Sequence, residues 1–335
     1  MVRVGVIGYG YWGKNIVRNF HSASNAEVVA VCDLSPDLLK GAKKHYPHVK
    51  TYNDCQELIK ATDIDAVAIV TPVGTHYELT KSALEHGKHI FVEKPFTETS
   101  QQAESLIELA EKKKRIIMVD HTFVFTQAVR KIKGLIDQQT LGSLHYYDAI
   151  RVNLGLFRQD VNVIWDLAPH DFSIMQYIVP QKPKAIAAHG MDHFGRGLCN
   201  TAYVTIYFDQ LIAHFHFNWL SPVKIRSTYI GGQKKMIVWD DLQSDEKVKV
   251  YDKGVVMGEG EDEEMFQQRI SYRLGDVWVP QLDPKEALTT EADYFVQCVM
   301  TNTKPINDGV SGLKVIKMLE ATDLSLKNRG EMISL

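Results

Sequence analysis

Cysteine is scarce in this chain: four in 335 residues, Cys32, Cys55, Cys199 and Cys298, with no C-x-x-C pair among them. That excludes a disulfide scaffold and a cysteine zinc site, and makes a reducing cytoplasm the expected compartment. No apolar run approaches the roughly 20 residues that a membrane span needs, so no membrane partner is expected. An excess of charge of one sign is also missing, with 38 Lys and Arg against 41 Asp and Glu. The longest basic run, Lys112 to Arg115, closes a helical stretch where cations suit the helix dipole. A polyanion-binding surface is therefore not expected, and neither is a nucleic-acid partner. Repeats and low-complexity tracts are absent, and the first strand begins at Val2, which leaves no room for a signal peptide before it. What remains is the composition of an ordinary globular protein, 45% hydrophobic and 24% charged. At 335 residues it is long for one core and suited to two domains.

The most informative stretch is the first 33 residues. Val2, Val4, Val6 and Ile7 form a β-branched run, followed by Gly8-Tyr9-Gly10-Tyr11-Trp12-Gly13 and then by Ile16, Val17 and Phe20 at helical spacing. A second apolar run, Val28 to Cys32, ends in Asp33. G-x-G-x-x-G between a strand and a helix, with an acid about 20 residues on, is the dinucleotide-binding arrangement. Gly8 permits the sharp turn, Gly10 the close approach of a pyrophosphate, and Gly13 the packing of helix on sheet. Free N–H groups at the helix start, around Tyr11 and Trp12, meet the phosphates. Asp33 would bond both ribose hydroxyls and repel a 2′-phosphate, and Leu34 adds no cation, so NAD is expected in preference to NADP.

Strands and helices alternate as far as Asp120, which predicts a mostly parallel sheet covered on both faces. Its ligands would lie beyond the carboxyl ends of the strands. The residues there are Asp33, Thr71, Pro72, His76, Glu93, Lys94 and His121. From Thr122 the pattern changes to a helix through Val129, Ile132 and Ile136 ending at Gly142, a strand from His145 to Asn153, and a helix from Trp165 to Ile178. Six strand-like runs follow between Ala185 and Tyr251, with a tight hairpin at Asp209-Gln210, which implies an antiparallel sheet. The acidic stretch Glu259 to Glu264 reads as an exposed loop, and two helices, Ala287 to Met300 and Gly309 to Leu326, close the chain. The expected division is therefore a cofactor-binding domain over residues 1–121 and an α+β substrate-binding domain over 122–335.

Two further groups carry chemistry. Glu93-Lys94-Pro95 ends an apolar strand, where a lysine is costly unless it faces a wet cleft or a partner. Burial would lower its pKa toward that of a proton donor or acceptor. Lys94-Pro95 is also a candidate cis bond, and pairing of Lys94 with Glu93 is the competing account of the lysine. Asp166 and His170 are four apart and share a helix face, so the aspartate can fix the tautomer of the histidine and raise its basicity. Pro169 belongs in a first helical turn, which sets this pair at a helix start, with capping as its competing role. Oxidation of an alcohol needs a base for the hydroxyl proton, and Lys94 and His170 are the two candidates. His189 with His193, and His214 with His216, find no third ligand in the pattern, so no metal is expected.

Gly8 to Asn15, Thr71-Pro72 with His76, Glu93-Lys94-Pro95 and Asp166 to His170 together resemble the Gfo/Idh/MocA oxidoreductases over essentially the whole chain. The resemblance implies an N-terminal Rossmann domain followed by a domain on a large, open, mainly antiparallel sheet. It further implies catalysis by Lys94, Asp166 and His170, a homodimer or homotetramer formed through the outer face of that sheet, and a last helix that packs back on the first domain. Val161 to Asp171 and Asp308 to Val315 look most like members that oxidise or reduce a ring hydroxyl of a UDP- or dTDP-hexose. Arg151, Asn153 and Arg158 are the further candidate substrate contacts, one arginine reaching a diphosphate or carboxylate, with a surface salt bridge as the alternative. Two other functions stay open: a dehydrogenase of a free polyol or aldose, such as inositol or glucose, and an NAD-binding sensor without chemistry. A sensor needs none of Lys94, Asp166 and His170.

Overall fold

The β-branched runs of the first 120 residues become six short strands, and these decide where the loops of the site emerge. The computed structural model describes residues 1–155, 161–257 and 270–335. The strands are β1 (Val2–Ile7), β2 (Ala26–Cys32), β3 (Lys50–Tyr52), β4 (Ala66–Ile69), β5 (His89–Val92) and β6 (Ile117–Val119), and they form one sheet in the order β3-β2-β1-β4-β5-β6. Every pairing is parallel. The order reverses at β1, which lies between β2 and β4, so the loops leaving β1 and β4 flank the crevice where such sheets receive ligands. Ala66 to Ile69 and Ile90 to Val92 are fully buried, as expected of parallel strands covered on both faces.

Five helices connect these strands: α1 (Tyr11–Ser22), α2 (Pro36–His45), α3 (Cys55–Lys60), α4 (His76–Glu85) and α5 (Ser100–Lys113). Side-chain oxygens of Ser35, Asp54 and Thr99 cap α2, α3 and α5. No side chain caps α1, whose N-cap is Gly10. The first turn of that helix thus keeps its N–H groups for a ligand.

The chain divides into two compact units, Met1–Thr126 with Lys285–Glu320, and Gln127–Pro284 with Ala321–Leu335. The second unit contains α6 (Gln127–Asp137), β7 (Leu144–Leu154), α7 (Val163–Ile178), β8 (Ala185–Met191), β9 (Thr201–Tyr207), β10 (Ile212–Asn218), β11 (Leu220–Gly232), β12 (Met236–Asp240), β13 (Val248–Tyr251), β14 (Gly254–Met257), β15 (Ile270–Arg273), β16 (Val277–Trp278) and β17 (Ile333–Ser334). Nine of these strands form one sheet in the order β16-β13-β12-β11-β7-β10-β9-β8-β17. Only β7 with β10 pairs in parallel; the rest is antiparallel. The hairpin at Asp209-Gln210 forms as expected, closed by Phe208 N–H on the Leu211 carbonyl at 3.0 Å. Along β9 and β10 burial alternates strictly. Val204, Ile206, Phe215 and Phe217 face inward, with Phe172 of α7 edge-on to Phe215 at 5.3 Å, while Tyr203, Tyr207 and Ile212 are exposed on the other face.

The chain then returns to the first unit through α8 (Ala287–Thr301) and the greater part of α9 (Gly309–Lys327). Phe295 of α8 completes a triad of edge-to-face rings with Phe20 of α1 and Phe91 of β5, at centroid distances of 5.3 to 5.7 Å. Asn307, just before α9, bonds both ways with the backbone of Val119 at the end of β6.

Three sequence expectations need correction. Helix α6 stops at Asp137 and not at Gly142, because Gln139 already turns left-handed at φ 55° and Gly142 forms a second such turn. Helix α7 begins at Val163, two residues before Trp165, because the Asn162 side chain accepts from the Ile164 and Trp165 N–H groups at 3.0 and 3.1 Å. Pro169 consequently lies inside the helix and not in its first turn, and its missing N–H cannot serve the carbonyl of Trp165.

Candidate functional site

In the first unit the three glycines meet three different environments. Gly8 has φ +97°, and a Cβ there would fall 2.2 Å from the Val70 carbonyl oxygen. A Cβ on Gly13 would fall 2.0 Å from the Gly8 carbonyl oxygen. Gly10 has nothing within 4 Å of its Cβ position. Two glycines are thus required by the protein's own backbone, and the third faces open space at the uncapped start of α1. This is the fit expected of a pyrophosphate cradle.

Asp33 is held ready at the end of β2. Its two carboxylate oxygens accept the N–H groups of Tyr9 and Ser35, at 2.7 and 2.8 Å. Each oxygen retains a lone pair for a ribose hydroxyl. Tyr11 and Leu34 stand almost fully exposed beside the cradle and Asp33. At the end of β4 the Thr75 hydroxyl donates to the Pro72 carbonyl at 2.8 Å, so Thr71 is the donor in the 2.6 Å contact between the two threonine hydroxyls. His76 lies behind this loop, buried. Its ring nitrogens are 2.8 Å from the Thr71 carbonyl and 2.9 Å from that of Pro95, so the ring braces the two loops, and burial lowers its pKa. Lys94-Pro95 is a cis peptide.

The ends of β5 and β6 carry a buried polar group that sequence reasoning missed in part. Asp120, 2% exposed, accepts from Trp12 Nε1 at 3.0 Å and from the Thr122 hydroxyl. Glu93 and Glu291 are its acidic neighbours. Burial, and then the Asp120 charge, push both glutamates well above the usual carboxylate range, against an opposing pull of Lys94 on Glu93. Glu291 is fully buried, with Oε1 accepting from Asn307 at 2.9 Å. His121, 1% exposed, has no hydrogen-bond partner for either ring nitrogen among the described residues. Burial and the charge of Lys94 lower its pKa to about 3, so the ring is neutral. An orphaned neutral imidazole here is a ready partner for an amide group. Asp120 was legible as a strand end, but Glu291 had no local signal, since only the return of α8 brings it to β6.

In the second unit Asp166 and His170 both lie half-buried on α7. Asp166 accepts from Trp219 Nε1 at 3.1 Å, a partner that no spacing rule could indicate. Arg151, expected as a substrate contact or a surface bridge, is buried and grips Asp171 with two bonds of 2.6 and 2.8 Å, tying β7 to the residue beside His170. Asn153 on β7 donates to the Leu154 carbonyl at 3.2 Å. Arg158 and the acidic stretch from Glu259 lie outside the described residues. His214 and His216 line up beside Tyr203, whose ring stacks on His216 at 4.5 Å.

Comparison with known proteins agrees with this architecture. Residues 2–121 match the model of the oxidoreductase family with an NAD-binding Rossmann fold, and residues 129–238 match the GFO/IDH/MocA C-terminal domain. Among curated relatives, an uncharacterized oxidoreductase, YdgJ of Escherichia coli, is 33% identical over 50% of this chain and 51% of its own. Myo-inositol 2-dehydrogenase of Thermotoga maritima is 28% identical over 62% of this chain and 65% of its own. The chain thus spans about half to two thirds of the length of the first relatives it matches. UDP-N-acetylglucosamine 3-dehydrogenase of Acidithiobacillus ferrooxidans is 23% identical over 94% of both chains. A solved structure of the enzyme of that name and organism shares the fold, with a TM-score of 0.82 over 98% of each chain at 21% identity. With both of its domain models matched in order along the sequence, the chain belongs to the Gfo/Idh/MocA oxidoreductase family.

Proposed function

We propose that this protein is an NAD-dependent oxidoreductase that moves a hydride between nicotinamide and a CH–OH carbon of a sugar, in particular one linked to a nucleotide. The observation that carries the cofactor half of this reading is the glycine cradle. Gly8 and Gly13 are closed by backbone, Gly10 is open, and Asp33 is oriented by two N–H donors. Asp33 favours NAD over NADP because a 2′-phosphate would meet its charge. The nucleotide-sugar half rests on the relative that aligns over 94% of both chains.

NAD supplies the hydride acceptor when bound. The hydroxyl proton lost from the same carbon needs a base, and Lys94 and His170 are the candidates, with Asp166 orienting the imidazole. Trp219 and Arg151 are then positioning residues, the first holding Asp166 and the second holding Asp171 next to His170. The exposed face of Tyr203, Tyr207 and Ile212 supports self-association through the large sheet, as a dimer or tetramer. The relationship to myo-inositol 2-dehydrogenase supports a second reading, oxidation of a free polyol.

The test is purified protein with NAD or NADP and a panel of UDP- and dTDP-sugars beside inositols and aldoses, followed at the absorbance of reduced nicotinamide. Reduction of NAD with one nucleotide sugar is the expected result. Reduction with a free polyol alone would replace it by the second reading. Lys94→Met should lose about 100-fold or more in turnover while calorimetry still detects NAD, since general acid–base groups contribute factors of that order. Unchanged turnover would remove Lys94 from the mechanism.

A further inference from the structure

Resting on the reading above, in which Asp166 and His170 serve the reaction, we propose that Gly155 is a positioning residue: its lack of a side chain lets the Trp219 indole reach Asp166. The first observation is topological. Strands β10 and β11 lie on either side of β7, and only Trp219 separates Asn218, which ends β10, from Leu220, which begins β11. The chain therefore crosses the end of β7 at Trp219, and Gly155 follows β7 directly. The Gly155 N–H donates to the Trp219 carbonyl at 3.1 Å, which fixes the crossing.

The second observation is steric. The φ of Gly155 lies outside the left-handed range, so no special turn calls for glycine there. What calls for it is space. A Cβ on Gly155 would fall 2.5 Å from Trp219 Cδ1, 2.9 Å from Cγ and 3.2 Å from Nε1, the edge of the indole that carries its N–H. That N–H donates to Asp166 Oδ2 at 3.1 Å.

The third observation is that both backbones are pinned. Trp219, 2% exposed, donates its backbone N–H to the Asn200 carbonyl at 3.0 Å. The Leu220 N–H beside it donates to Asn218 Oδ1 at 2.6 Å, and Gly155 is tied to Trp219 itself. A methyl on Gly155 is therefore relieved by rotation of the indole, which takes the N–H away from Asp166. Asp166 lies one helical turn before His170, so a displaced carboxylate changes how the imidazole is presented. Misplacement by an ångström at a reacting group costs about 100-fold in turnover. Gly155 touches neither substrate nor cofactor on this account; it acts through Trp219.

The experiment is steady-state kinetics of the full-length protein with NAD and the sugar or polyol that it oxidises, beside calorimetry with NAD. Trp219→Phe keeps a buried ring and both backbone bonds and loses the N–H. It should lower kcat by about 10- to 100-fold, the weight of a hydrogen bond to a charged group, while KM and the Kd for NAD change by less than about twofold. Gly155→Ala should lose a similar factor. The double variant should be no slower than the slower single one, because both substitutions remove the same hydrogen bond, whereas independent losses would multiply. Unchanged kcat in Trp219→Phe overturns the proposal even if Gly155→Ala does not fold. A loss carried by KM, or multiplied losses in the double variant, overturns it too and leaves Gly155 as a packing residue. A wild-type protein that binds NAD but turns over no sugar or polyol would instead overturn the oxidoreductase reading, and this inference with it.

Discussion

Single residues here separate what the fold needs from what a ligand needs, and the glycine loop shows it most clearly. Gly13→Ala forces a methyl to within 2.0 Å of the Gly8 carbonyl oxygen, and only a shift of α1 away from the sheet relieves it. Gly10→Ala meets nothing within 4 Å. The first substitution should lower the unfolding free energy by about 2 kcal/mol or more, in the range of overpacking in closed sites. The second should leave the urea midpoint unchanged but abolish detectable NAD binding by calorimetry, because its methyl occupies only the space left for the pyrophosphate. Equal effects of the two on stability would contradict the assignment of that space. The G-x-G-x-x-G spacing made these roles legible in advance, since each glycine answers a local steric demand. His76, which a strand-end position suggested as a cofactor contact, has a surrounding that local logic does not give. Its two ring nitrogens face the carbonyls of Thr71 and Pro95, a long-range arrangement that spacing does not encode.

At the scale of the element, α7 is the instructive case, because it carries Asp166, His170 and Asp171 on adjoining turns. Its periodicity and its end before Pro180 were readable, but its start was not. Pro169 signals a helix start, whereas Asn162 supplies the cap and lets the helix run through the proline. What fixes the helix is a set of polar contacts from distant segments: Trp219 to Asp166, Arg151 to Asp171, and Trp165 and Asn162 to Asp323. These differ in kind, so their loss should differ in size. Asn162→Ala removes a cap and should cost about 1 kcal/mol. Asp171→Asn leaves the Arg151 guanidinium, only 4% exposed, facing a neutral amide, and should cost about 3–5 kcal/mol as in other broken buried pairs. Urea denaturation of both variants checks the ranking. A loss for Asp171→Asn no larger than that for Asn162→Ala would show that solvent reaches the pair.

For the whole molecule, the sequence revealed that a parallel nucleotide-binding sheet precedes an antiparallel one, because the switch from helix-alternating to consecutive strands is a matter of local pattern. Local pattern did not reveal that residues 285–320 cluster with the first 126, a return that the family resemblance implied for the last helix alone, since it depends on where Phe295 and Asn307 find partners. This return of the chain is also what buries Glu291 beside Asp120, and it leaves a mark on global stability. A carboxyl whose folded pKa lies above its unfolded value binds more protons in the folded state, so its stabilisation is full below the unfolded pKa of about 4.3 and is lost as pH rises toward the folded value. Glu93 and Glu291 both act in this sense. His89, lowered to about 4, and His121, lowered to about 3, act in the opposite one, and their stabilisation is complete above the unfolded histidine pKa of about 6.5. As pH rises from the unfolded carboxyl value the two glutamates therefore lower the stability, by up to about 1.4 kcal/mol per proton per pH unit until their folded values are passed. Glu291→Gln keeps the acceptor for Asn307 and gives Asp120 an amide donor that no longer titrates. The variant should match the wild type near pH 5 and exceed it in stability at pH 8, read as a rise in the urea midpoint that grows with pH. A difference that stays constant across that range would contradict a raised carboxyl pKa for Glu291 in the folded protein.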